Sequence, residues 1–343
     1  MADSIMHYLR TLKTIFTVAG AFGVLSLAPV TSAHGAQWNF AEPYGDANFH
    51  TQNARQFAED VTEATGGKLA VTVHANGALI PHPEIKNAVR RGIVPVGELF
   101  LSRLANENPI FEVDALPTLA NDYESARRLW QASKPEISKR LERQGLKVLY
   151  SVPWPSQGIY TQFELTQANQ LQGIKLRSNN TATERLAKRL GAIPTQTEAS
   201  DIPTAFSTGR VDAMVTSVST GVNTAAWDYV SHFNDANLWL PKNIVIINQK
   251  AFDRLDKTTQ RAVMDAAQKA EQRGWAMSKA ESESDMTALK DHGIKVNTPT
   301  PALEKALERA GAELVERWKA QTGSEGEAIL ERYRQLSARD DNA

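Results

Sequence analysis

Apolar residues along this chain recur with two periods, and the change from one to the other marks out its elements. Gln37 to Ala41 alternates with period two and predicts a first strand, with Glu42-Pro43-Tyr44-Gly45 as its loop. Phe49 to Thr65 has a helical period, with Phe57, Val61 and Ala64 on one face, and Gly66-Gly67 closes it. Lys68 to His74 predicts a second strand, Glu84 to Arg91 a helix stopped by Gly92, and Val94 to Leu101 a third strand. Strands alternating with helices predict a parallel sheet with crossover helices. Beyond an apolar bend at Leu116 to Leu119, Asp122 caps a helix running from Tyr123 to Gln144, and Leu146 to Val152 is the next strand. Pro153-Trp154-Pro155-Ser156-Gln157-Gly158 interrupts the pattern. It reads either as a crossing between domains or a ligand wall, or as a rigid surface turn.

The stretch from Leu171 to Asn223 predicts a strand through Ile174 and Leu176, then a helix carrying Ala182, Leu186 and Leu190 as far as Gly191. A short helix from Ser200 to Thr208 and a strand from Val211 to Val215 follow. Arg177 and Asn179 stand at the exit of the first of these strands, Thr216 and Ser217 at the exit of the second. Ligands of open α/β sheets bind beyond the carboxyl ends of strands, and a guanidinium offers a planar fork of donors to a carboxylate. A surface arginine in an ordinary salt bridge is the plain alternative. Trp227 to Phe233 continues as helix, and Asn237 to Asn248 contains a buried strand. From Asp256 a helical period runs unbroken for about thirty residues to His292-Gly293, or ~45 Å of helix. Ile294 to Asn297 is a last short strand, and Pro301 to Gln321 and Glu325 to Leu336 are closing helices.

Composition narrows the field. The 343 residues suffice for two domains, 42% hydrophobic and 22% charged residues are ordinary globular values, and there is no basic block to suit nucleic acid at a net charge of −1. Cysteine is absent, which excludes disulfides, thiol nucleophiles and a lipidated cysteine. Arg10 and Lys13 precede an apolar run from Thr14 to Ala28, and Thr31-Ser32-Ala33 follows. This is the pattern of a secretory signal peptide cleaved after Ala33, with the run too short for a membrane span of ~20 residues. An exported enzyme is the rival from another class; the chain has no nucleophile elbow, HExxH pair or phosphate loop, although Glu198 and Asp201 could do acid/base work. His74 and His82 read as solvated residues. Asp201 reads as a helix cap, and Glu198 as an acceptor for a ligand hydroxyl.

Gly173-Ile-Lys-Leu-Arg177, Leu116-Pro-Thr-Leu119 before an Asp and a helix, Gly209-Arg-Val-Asp212, and Ala251-Phe-Asp-Arg-Leu255 with Gln260 opening a long helix occur in a family's order and spacing. In these motifs the chain resembles the periplasmic solute-binding subunits of TRAP (tripartite ATP-independent periplasmic) transporters over nearly all of its mature length. The resemblance implies an α/β fold of two lobes joined by hinge strands, with a long helix spanning both. The expected division is a signal peptide at 1–33, an N-terminal lobe of 34–154 plus 241–280, a C-terminal lobe of 155–240 plus 281–336, and a polar tail at 337–343. It implies a monomeric receptor in the periplasm, without cofactor or metal, that closes on a small organic carboxylate and passes it to membrane permease subunits. A sensor subunit presenting its ligand to a membrane receptor is the alternative within the same class. Arg177 occupies the position of the family arginine that grips the carboxylate. Where relatives often have Glu-Asn-Pro after the GxVD turn, this chain has Val215-Thr216-Ser217, which leaves a hydroxyl to make the second contact. Some members have a second arginine about twenty residues before the first. Here Trp154, Ser156, Gln157 and Gly158 occupy that zone and favour a ligand with a neutral or apolar body. Tyr44, Glu42, Trp239 and Asn243 complete the expected cleft residues.

Overall fold

The computed structural model describes residues 35–340; the expected signal peptide and the end of the polar tail lie outside the described residues. The chain runs β1 (Ala36–Ala41), α1 (Phe49–Ala64), β2 (Leu69–His74), α2 (Ile85–Arg90), β3 (Val96–Phe100), α3 (Tyr123–Glu142) and β4 (Leu146–Pro153). It continues through β5 (Gln157–Thr161), β6 (Lys175–Ser178), α4 (Thr181–Arg189), β7 (Ile193–Gln196), α5 (Ile202–Ser207), β8 (Ala213–Ser217), α6 (Val218–Asn223) and β9 (His232–Asn234). The last part comprises β10 (Lys242–Asn248), α7 (Gln249–Asp253), α8 (Lys257–Asp291), β11 (Lys295–Asn297), α9 (Pro301–Thr322) and α10 (Ser324–Asp340).

Two sheets organise two lobes, in the orders β2-β1-β3-β10-β4 and β11-β9-β5-β8-β6-β7. The chain passes from the first sheet to the second between β4 and β5 and returns in β10. Because it returns where β4 ends, with Lys242 opposite Pro153, β10 runs antiparallel to both β3 and β4. The first sheet is therefore mixed, not purely parallel as the alternation predicts. All seven residues of β10 are buried, with Ile244 and Ile246 in one apolar cluster and Val245 and Ile247 in another on the opposite face. A central strand covered on both sides gives the continuous β-branched run seen in the sequence.

Three short strands depart from the pattern. β5 begins at the end of the predicted break, taking in Gln157 and Gly158. All five of its residues are buried, and Gly158 is required because a Cβ there would collide with the Phe233 ring of β9. β7, with Pro194 inside it and Ile193 exposed, is a four-residue edge strand. The helix expected over Trp227 to Phe233 is replaced by a single 3-10 turn and β9. Ala225 turns left-handed at φ 50°, and Phe233 packs against Tyr160 at 4.5 Å between ring centroids. The long helix is present as α8, roughly 52 Å at 1.5 Å per residue. Asp256 caps it by accepting from the Thr258 and Thr259 amides, and it packs on α1 and β4 of one lobe and on α6 and β11 of the other. Among the described residues, no helix is long and apolar enough to cross a membrane.

Candidate functional site

Arg177 is the third residue of β6, between β7 and β8, and only 3% of it is exposed. Its Nε donates to the Thr197 carbonyl at 3.0 Å, which fixes the plane of the guanidinium. Among the described residues neither Nη group has a partner; both belong to a side chain lining a small cavity of about 50 Å³. Burial lowers its pKa to about 10, with Glu198 opposing the shift, so it remains a cation at neutral pH.

Beside it, Thr216 and Ser217 end β8 and line the same cavity. Their hydroxyls are not equivalent. Ser217 is the N-cap of α6, its Oγ accepting from the Thr220 amide at 3.2 Å, whereas the Thr216 hydroxyl has no partner among the described residues. Asn179 accepts from Thr183 Oγ1 at 2.8 Å and keeps its amide NH₂ free. Gln157 donates through Nε2 to the Pro155 carbonyl at 3.0 Å, leaving its side-chain carbonyl unused.

The facing wall comes from the other lobe and is aromatic. Tyr44 and Trp154 meet edge to face at 4.9 Å, and Phe100 and His82 adjoin them. Trp154 Nε1 and the Tyr44 hydroxyl both donate to Asn243 Oδ1, at 3.0 and 3.3 Å, and Asn243 Nδ2 donates to Glu98 Oε1 at 2.7 Å. His50 Nδ1 lies 2.6 Å from the same Glu98 oxygen. Burial would raise the Glu98 pKa, but His50 and Asn243 hold it below the usual value. Burial pushes its neighbour Glu42 well above the ordinary range, and the Glu98 charge adds to that.

Eight of the expected residues are thus brought together around one cavity: Arg177, Asn179, Thr216, Ser217, Gln157, Trp154, Tyr44 and Glu198. Three do not reach it. Asn243 and Glu42 lie beneath the aromatic wall and support it, and Trp239 is in the apolar core with Ile159 and Val215. The Trp239 carbonyl only fixes the Gln157 amide, at 3.0 Å. Asp201 sits at the first cap position of α5, but its side chain makes no capping bond.

The expected role of Glu198 also changes, because Arg103 occupies it. Arg103 Nη1 donates to both Glu198 oxygens, at 2.9 and 3.1 Å, across the space between the lobes. A second arginine therefore does line the cavity, reached from the exit of β3 and not from the zone upstream of Arg177. His82, expected in solvent, accepts from the Phe100 amide at 3.2 Å through Nε2. Burial and the Arg103 charge lower its pKa to about 3, so it is neutral. The signal for Arg103 was its place after a strand, the same signal that marks Arg177. Among the described residues no cluster of three His, Asp or Glu could hold a metal ion.

Two lobes facing each other across a cavity, with the Arg177 cation unanswered by any described residue, form the arrangement of a solute receptor. Residues 40–321 match the profile of the bacterial extracellular solute-binding proteins, family 7, and the chain belongs to that family. The solved structure of DctP7 from Bordetella pertussis, an extracytoplasmic solute receptor binding pyroglutamic acid, is 40% identical. It superposes with a TM-score of 0.86 over 88% of this chain and 100% of its own. A TRAP solute-binding protein of an unidentified marine microbe, specific for pyroglutamate and solved with co-purified ligand, is 38% identical. Its TM-score is 0.86 over 88% of this chain and 99% of its own. A solute-binding protein of Albidiferax ferrireducens is 22% identical over 219 residues, 62% of this chain and 64% of its own length. Members of the family are solute receptors, and the solved relatives bind small carboxylates.

Proposed function

We propose that this protein captures pyroglutamate in the periplasm and delivers it to a TRAP-type permease for uptake. The observation that carries the proposal is the buried Arg177 guanidinium, whose two Nη groups open on the cavity without a partner. A buried cation lacking a counter-ion is costly, and a carboxylate on both Nη groups satisfies it. Each such charge-assisted bond contributes ~1.5–3 kcal/mol.

The rest of the cavity suits a compact ring better than an extended chain of hydroxyls. Tyr44, Trp154 and Phe100 offer flat apolar faces, while the Gln157 carbonyl can accept from a lactam N–H. Thr216 and the Asn179 amide can donate to a lactam oxygen or to the carboxylate. Two structures 38% and 40% identical to this chain are of pyroglutamate receptors, which supports the same ligand here.

The direct test is calorimetry on protein unfolded, dialysed and refolded to remove retained ligand, with L-pyroglutamate, L-proline and L-glutamate as probes. Pyroglutamate should bind with micromolar or tighter affinity, and proline, lacking the lactam carbonyl and carrying a cation, far more weakly. No heat from pyroglutamate with a folded, ligand-free protein overturns the assignment. For export, the N-terminus of protein recovered from the periplasm should be His34. For delivery, deletion of the gene should abolish uptake of labelled pyroglutamate at micromolar concentration.

A further inference from the structure

Three charged side chains line the cavity: Arg177, Arg103 and Glu198. Glu198 holds Arg103 with both carboxylate oxygens on one Nη, and His82 Nδ1 stands 3.8 Å from the same carboxylate. The neutral state of His82 adds no charge. Seen from Arg177, the two partners act in opposite senses, Glu198 favouring its cation and Arg103 opposing it. The lining of the cavity therefore carries one net positive charge, and a monoanion brings it to zero. A dianion leaves one negative charge in the cavity without a partner, which is the costly outcome. Arg103 is not otherwise spent: its Nε and Nη2 make no hydrogen bond among the described residues, so release from Glu198 would give the cavity a second clamp.

We infer that Glu198, by occupying Arg103, makes the receptor select monoanions and reject dianions. Glu198 is then a specificity-determining residue that need not touch the ligand, and the chain holds a latent dicarboxylate site that one carboxylate keeps shut. The inference rests on the carboxylate reading of the Arg177 cavity.

The test compares pyroglutamate with glutarate, a five-carbon dianion at pH 7.5, in the wild type, Glu198→Gln and the double variant Arg103→Gln/Glu198→Gln. The wild type should prefer pyroglutamate at least a hundredfold. Glu198→Gln should narrow that ratio at least tenfold by gaining affinity for glutarate, and the double variant should restore it. The ratio cancels any general loss of affinity from removing a contact between the lobes, and circular dichroism establishes that each variant is folded. A wild type that binds glutarate as well as pyroglutamate, or a folded Glu198→Gln with an unchanged ratio, overturns the inference. If the wild type binds neither probe, the pyroglutamate assignment fails separately. Glutarate binding gained by Glu198→Gln would then still uphold the role of Glu198, and no gain would refute it.

Discussion

The two walls of the cleft differ in how their polar groups are satisfied. On the β6–β8 side Arg177, Thr216 and Asn179 retain donors that no protein atom uses, although Arg177 and Thr216 are 3% and 2% exposed. On the facing side Tyr44 and Trp154 direct their donors away from the cavity, into Asn243, which itself donates to the Glu98 oxygen that His50 also meets. The first wall holds donors that await a ligand, whereas the aromatic pair of the second is held from beneath and presents shape. Affinity should therefore reside in the first wall and stability in the second.

The largest effect should come from Arg177→Ala. Truncating one partner of a buried charge pair costs ~2–5 kcal/mol, or roughly thirty-fold to several thousand-fold in affinity. The thermal midpoint of the ligand-free protein should hardly move, since among the described residues the one bond lost is that to the Thr197 carbonyl. Lysine should rescue only in part, having no fork to match a carboxylate. An unchanged affinity in calorimetry would remove Arg177 from the site.

Asn243→Ala should show the reverse balance. It strips a partner from Trp154, Tyr44 and Glu98 at once, all of them buried or nearly so. Leaving such groups unsatisfied costs ~1–3 kcal/mol each, so denaturant midpoints should fall clearly. Affinity should drop only about tenfold, through a loosened wall. If affinity falls as far as in Arg177→Ala while stability holds, the division between the two walls is wrong.

A smaller contrast lies within the first wall. Thr216→Val removes one free hydroxyl, worth ~0.5–1.5 kcal/mol to a neutral partner, and should weaken binding two- to tenfold without affecting the melt. Ser217→Ala should do the opposite, costing ~1 kcal/mol of stability through the lost cap of α6 and leaving affinity within twofold. Parallel melts and titrations of the two variants separate the hydroxyls that the sequence places side by side.

How much of this was legible in the sequence follows from the range of the forces involved. Arg177, Thr216 and Ser217 could be found because a strand exit is a local pattern, and β10 and α8 because each sustains one period for its full length. β5, β7 and β9 are three to five residues long, and Pro194 and Gly158 disguise two of them. Their register comes from neighbours distant in sequence, such as Phe233 against Gly158. Arg103, which went unrecognised, and the role of Glu198, which was expected at the site as a ligand acceptor, share that cause. Glu198 and Arg103 are 95 positions apart, so nothing in either neighbourhood shows that one neutralises the other. Asn243 and Glu42 lie at the expected ends of their strands, but one layer deeper than the cavity the sequence assigns them to. Sequence position fixes the end of a sheet more readily than it fixes the direction of a side chain.

The smallest effect should be a pH slope that originates under the aromatic wall. Glu42 is fully buried, and both its burial and the neighbouring Glu98 charge raise its pKa well above the ordinary 4.5. Above pH 4.5 an unfolded chain releases this proton while the folded one keeps it. The folded state then binds more protons, so stability must fall as pH rises from 4.5 towards the folded pKa. Glu98 is shifted the other way, and its contribution is lost as pH drops below its usual range. The two effects therefore occupy different windows, Glu42 above pH 4.5 and Glu98 below it. Glu42→Gln replaces a held proton by a permanent amide of the same shape. It should be close to neutral near pH 5 and stabilising relative to wild type at pH 8, with the downward slope between them reduced and ligand affinity unchanged at both. Denaturant titrations at a series of pH values read this directly. Parallel curves for the two proteins would mean that Glu42 is ionised in the folded state, and the wall would then rest on a buried carboxylate pair held by His50, Asn243 and the Tyr44 amide.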